Sequence, residues 1–203
     1  MWCFRLLFIL ALISLAGCAT APPRHTSNVC NIFREKNGWY GDAKHSARHW
    51  GAPISVQMAI IKQESGFHSN AKPAHHYVLG LIPWGRVSSA YGYTQALDST
   101  WQHYENATGN QGADRDNFGD ATNFVGWYMA KSHRELGIPM RAARRQYLAY
   151  YFGQAGYRHG QYRGHPRIQR AARSVARTAD RYHRQLAGCR QSLENQGHWW
   201  WPF

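Results

Sequence analysis

From His165 onward, Ile168, Ala172, Val175, Ala179, Tyr182 and Leu186 recur at helical spacing, with Arg167, Arg170, Arg177, Arg181 and Arg184 largely on the other side. Such a pattern makes one amphipathic helix, whose apolar stripe has to be covered by the rest of the chain and whose arginine face is left to solvent. Most of what precedes it is also helical in pattern and punctuated by glycine. Trp39, Tyr40, Ala43, Ala47 and Trp50 form a stripe that stops at Gly51. Asp98 reads as the N-cap of a helix bearing Trp101 and Tyr104. Asp120 opens another, through Phe124, Trp127, Tyr128 and Leu136, which Gly137 and Pro139 end. Met140 to Phe152 follows with Leu148, Tyr151 and Phe152 on its apolar side. No period repeats along the chain, which excludes a solenoid.

One segment departs from this pattern. Between Gly66 and Gln95 the chain is rich in Gly, Pro, His and aromatic residues, and Tyr77 to Trp84 is its only strand-like run. A connection this long inside a compact domain is usually functional. The expected fold class is therefore mainly α, with a small irregular β lobe facing the helix that precedes it.

That helix, within Pro53 to Phe67, carries the residue of most chemical interest. Pro53 suits the first helical position and Gly66 the one just past the end, which puts Glu64 in the last turn. Glu64 lies four residues after Ile60 and three after Ile61, on the apolar face. Burial and the negative end of the helix dipole both push its carboxyl pKa upward, the direction a general acid needs. The plainer alternative is a Glu at a frayed helix end pointing to water.

The N-terminus bears on compartment. Arg5 is followed by ten apolar or small residues, Leu6 to Leu15, a length suited to a signal peptide and too short to span a bilayer. Leu15-Ala16-Gly17-Cys18 then resembles the lipobox of bacterial lipoproteins. The resemblance implies a signal peptide over 1–17, lipidation of Cys18, and a tether over 18–29. Ala19 in place of Asp favours the outer membrane of a Gram-negative bacterium, facing the periplasm. In that oxidising compartment the remaining cysteines, Cys30 and Cys189, read as a disulfide joining the two ends of the domain, two free thiols being the alternative.

About 170 residues then remain, enough for one domain with one core. The chain has 24 Lys plus Arg against 11 Asp plus Glu. In an exported protein that balance suits an acidic wall or lipid surface, and nucleic acid is not expected. His45 and His49 have i, i+4 spacing and His75 and His76 are adjacent, yet no His-Glu-x-x-His or CxxC occurs, so neither a metal nor any other cofactor is expected. Trp199 to Trp201 belong to a tail over 190–203, either mobile or an interfacial or glycan contact.

Three short motifs stand in order: Glu64-Ser65-Gly66-Phe67, Gly92-Tyr93-Thr94-Gln95, and Tyr147-Leu148-Ala149-Tyr150-Tyr151. With them the domain over 30–189 resembles the soluble-lytic-transglycosylase domain, a lysozyme-like fold related to goose-type lysozyme. In that family a Glu-Ser pair carries the catalytic acid, Gly-Leu-Met-Gln lines the cleft, and Ala-Tyr-Asn brings a tyrosine near the acid. The resemblance implies a catalytic Glu64 and substrate contacts from Ser65, Tyr93, Gln95 and Tyr150. Tyr93 and Thr94 replace the usual Leu and Met, and Tyr151 replaces the Asn. This is closer to a lipoprotein branch of the family than to its soluble enzymes.

The activity so implied is non-hydrolytic cleavage of the MurNAc-GlcNAc β-1,4 bond of peptidoglycan strands, leaving 1,6-anhydro-MurNAc ends, by a protein expected to be monomeric. A hydrolase usually uses a second carboxylate, and Asp98, the nearest to a motif, is better explained as an N-cap. Trp84, Tyr91, Tyr93 and Trp101 offer flat rings for sugar faces, with core packing as their alternative. Two other functions remain open at this point, a hydrolytic lysozyme-like muramidase and a non-catalytic wall-binding lipoprotein.

Overall fold

The computed structural model describes residues 21–73, 75–78, 82–86 and 88–196. Among them are seven α-helices: α1 (Val29–Glu35), α2 (Trp39–Trp50), α3 (Ile54–Ser65), α4 (Asp98–Thr108), α5 (Phe118–Leu136), α6 (Ala143–Arg158) and α7 (Pro166–Gln196). A short 3-10 turn, Gln161–Gly164, joins α6 to α7. Between α3 and α4 an antiparallel hairpin pairs β1 (His75–Val78) with β2 (Ile82–Arg86). The long helix expected from the arginine-rich stripe is thus α7, and the strand-like run is the hairpin.

α3 is the centre of the molecule. Every residue from Ser55 to Ile61 is buried, because α7, α5 and α2 pack around it, and a helix apolar on nearly all sides is stable only when enclosed. α7 contributes the largest wall. Ala172, Val175, Ala179, Tyr182 and Leu186 are all 3% exposed or less, while Arg167, Arg170, Arg177 and Arg184 are exposed. Lys62 of α3 and Tyr182 of α7 both donate to the Thr26 carbonyl, drawing the entering chain onto this wall. A disulfide between Cys30 and Cys189 fastens α1 to α7, with Cα atoms 6.1 Å apart and a sequence separation of 159.

Several helix boundaries differ from expectation, each for a local reason. Pro53 is the N-cap rather than the first helical residue of α3, with ψ at 132°. Asp98 does not cap α4. Leu97 occupies the cap, without a side-chain bond, and the Asp98 carboxylate instead pairs with Arg115 at 2.7 Å. α5 begins at Phe118, because the Asn117 side chain caps it by accepting from the Asp120 amide at 3.1 Å.

α6 is broken near its middle. Gly153 has φ 70° and ψ 165°, outside any helical region, a conformation that favours glycine. The first half of α6 ends there against the cleft described below. Residues 1–17, Cys18, the next two residues of the tether, the Trp84 side chain and Trp199 to Trp201 lie outside what the structure describes.

Candidate active site

A cleft of about 620 Å³ is lined by residues of α3, of the segments flanking the hairpin, and of α4, α5 and α6. α3 brings Glu64 to its floor. The helix stops one residue later, where Gly66 adopts φ 60° and its amide donates to the Lys62 carbonyl. The Ser65 hydroxyl is committed to this stop, donating to the Ile61 carbonyl at 3.1 Å and accepting from the Phe67 amide at 3.2 Å. Expected at the substrate, Ser65 is instead buried and holds the turn that fixes Glu64.

The Glu64 carboxyl has the environment of a proton donor. Burial pushes its pKa up to about 7, while hydrogen bonding from the Tyr147 hydroxyl acts in the opposite direction. Loss of water penalises the charged form more than one neutral donor stabilises it. Its Oε1 is buried with no hydrogen-bond partner among the described residues. A buried polar atom left unpaired calls for an explanation, and a ligand entering the cleft supplies one.

Glu64 is also the only carboxylate lining the cleft. All 11 Asp and Glu residues of the chain fall where side chains are described, so this statement covers every acid in the protein. Asp98 is two-thirds exposed and engaged with Arg115. It does not reach the cleft, although its neighbour Leu97 does.

The second motif forms the loop opposite. Gly92 turns at φ 72°, and a Cβ there would sit 2.1 Å from the Arg115 carbonyl oxygen. That close approach delivers Gln95, itself at φ 51°. The Gln95 amide nitrogen donates to the Ala71 and Gly92 carbonyls, both at 2.9 Å. Both its donors are used in holding the loop, which leaves the amide oxygen as its remaining group at the cleft.

The rings expected to meet sugar are placed differently. Tyr93 is 1% exposed and lies edge-on to Trp39 and Phe118 in the core. Trp101 is 6% exposed and packs on Phe124, with its indole donating to the Ala113 carbonyl. Tyr91 hydrogen-bonds Asp116 at 3.2 Å, outside the cleft lining. In place of these, the cleft is walled by Tyr128 and by the consecutive residues Tyr150, Tyr151, Phe152 and Gly153.

Tyr150 lines the cleft, but its hydroxyl donates to the Thr94 carbonyl at 2.8 Å. The tyrosine that acts on the acid by hydrogen bonding is Tyr147, one helical turn earlier. Its spacing to Tyr150, three residues on one helix, was the available signal. His45 and His49, the i, i+4 pair, are exposed with ring centroids 6.5 Å apart. Among the described residues no group of three or more His, Cys, Asp or Glu could hold a metal ion.

Helices packed around a buried helix, with one proton-poised carboxyl opening on a cleft, define the lysozyme-like class of fold. The chain belongs to the transglycosylase SLT domain family, whose model matches residues 6–189. No curated protein matches it. The family connection makes it a lytic transglycosylase in general terms, acting on peptidoglycan. Among the described residues, no helix is long and apolar enough to cross a membrane.

Proposed function

We propose that this protein cleaves the MurNAc-GlcNAc β-1,4 bond without water, using Glu64 first as acid and then as base. The neutral carboxyl protonates the bridging oxygen as the bond from that oxygen to the muramyl anomeric carbon breaks, and GlcNAc leaves with a free 4-hydroxyl. The carboxylate then takes the proton of the muramyl 6-hydroxyl while O6 bonds to the anomeric carbon. This closes the 1,6-anhydro ring and restores the neutral acid.

One observation carries this reading: a single carboxyl, poised near neutrality, is the only acid lining the cleft. A pKa near 7 keeps both protonation states accessible at neutral pH, as a group acting in turn as donor and acceptor requires. Hydrolysis by the usual two-carboxylate route finds no second group. Gln95 and Tyr150 frame the cleft around the acid, the first offering its amide oxygen to sugar hydroxyls or N-acetyl groups. Leu15 to Cys18 supports attachment to the periplasmic face of the outer membrane through a lipidated Cys18.

Turnover of isolated peptidoglycan by the wild-type protein and by Glu64→Gln tests the role of the acid. The variant is expected to lose at least about 100-fold in glycan release, as removal of a general acid does. Equal release by both proteins would show that Glu64 is not catalytic and would favour a wall-binding role.

A further inference from the structure

Among the described residues, large hydrophobic side chains are almost entirely hidden. Among the described residues only two are exposed, Leu97 at 43% and Tyr151 at 52%. Both line the cleft that holds Glu64. They come from separate elements, Leu97 from the cap of α4 and Tyr151 from α6.

The backbone is built to produce this exposure. A continuous helix turns about 100° per residue, so consecutive side chains cannot share one face. Tyr150, Tyr151, Phe152 and Gly153 nonetheless all line the same cleft, which meets the last regular turn of the helix just before the interruption at Gly153. Tyr151 is held at this break by an edge contact to Phe152, with centroids 4.9 Å apart, and by a looser one to Tyr147 at 6.5 Å. These contacts meet the ring on one side while half of its surface stays open.

We infer that Tyr151 and Leu97 form an apolar subsite for the substrate, the Tyr151 ring stacking on the C-H face of an N-acetylated hexose and Leu97 covering an adjoining apolar group. This rests on the reading of the cleft as glycan-binding and assigns specificity to residues that do no proton transfer. A flat ring on only two rotatable bonds loses little freedom on binding, and water leaves both partners when the faces meet.

The test is isothermal titration of a tetramer of N-acetylglucosamine into the full chain bearing Glu64→Gln, alone and combined with Tyr151→Ala, Tyr151→Phe or Leu97→Ala. Tyr151→Ala is expected to weaken binding roughly 10-fold. Tyr151→Phe should bind within about 2-fold of its parent, since the ring and not the hydroxyl makes the contact, and Leu97→Ala should weaken binding about 3-fold. Unchanged affinity in Tyr151→Ala, equal losses in Tyr151→Ala and Tyr151→Phe, or no binding by the parent protein would each overturn the subsite. Loss of affinity in Tyr151→Ala while wild type releases no anhydro product would leave the subsite standing and remove the transglycosylase chemistry instead.

Discussion

The Tyr150 hydroxyl donates a 2.8 Å hydrogen bond to the carbonyl of Thr94, and so joins α6 to the loop that presents Gln95. This part-buried bond ties two walls of the cleft together. Tyr150→Phe leaves that carbonyl without its partner and is expected to cost about 1 to 3 kcal/mol of stability, read from the midpoint of urea unfolding. The ring is kept, so the variant should remain folded with weakened activity.

Tyr147 acts on a different property. Its hydrogen bond pulls the Glu64 pKa down against the larger effect of burial. Removing the hydroxyl in Tyr147→Phe therefore raises that pKa, and the falling alkaline limb of kcat/KM against pH should move to higher pH. A limb that stays in place would show that Tyr147 is structural only.

Stability should carry the same signature. The Glu64 pKa is near 7 when folded and 4.5 in the unfolded reference. Between those values the unfolded chain has lost the proton and the folded one still binds it, so stability falls as pH rises through this window. Above it the penalty is constant, on the order of 3 kcal/mol. Glu64→Gln, which cannot ionise, should thus unfold at a higher temperature than wild type at pH 8, and the difference should vanish by pH 4.

Gly92 admits no side chain. A Cβ would stand 2.1 Å from the Arg115 carbonyl, on a backbone at φ 72°. Gly92→Ala combines left-handed strain with overpacking and is expected to cost about 3 kcal/mol or more. Thermal unfolding would record this, and cleavage should fall with it because Gln95 is displaced.

Reduction of the Cys30 to Cys189 bond releases a loop of 159 positions. Chain entropy predicts a loss of up to about 5 kcal/mol. Denaturant titration with and without reductant measures it.

The helices were legible where apolar residues recur at helical spacing and a glycine marks the stop, as with Gly51, Gly66 and Gly137. Glu64 was legible too, because its position on the apolar face follows from spacing alone. Caps were less so. Asp98 has the chemistry of an N-cap, but the nearby Arg115 guanidinium takes its carboxylate, a tertiary preference that no local pattern reveals.

The cleft rings were misread for a related reason. Tyr93 and Trp101 look like sugar platforms beside a cleft motif, yet their apolar faces are consumed by Trp39, Phe118 and Phe124. Tyr151 was assigned to the apolar face of its helix on a regular turn of 100° per residue. Its backbone is regular helix, yet the ring is 52% exposed because that turn, the last before the interruption at Gly153, borders the cleft instead of the core.

Mass analysis of the muropeptides released from purified peptidoglycan tests the central claim most directly. A lone carboxyl acting as acid and then base predicts muramyl ends in the 1,6-anhydro form, lighter by one water than reducing ends and resistant to reduction. Products with ordinary reducing ends and no anhydro form would contradict it and make this protein a hydrolase.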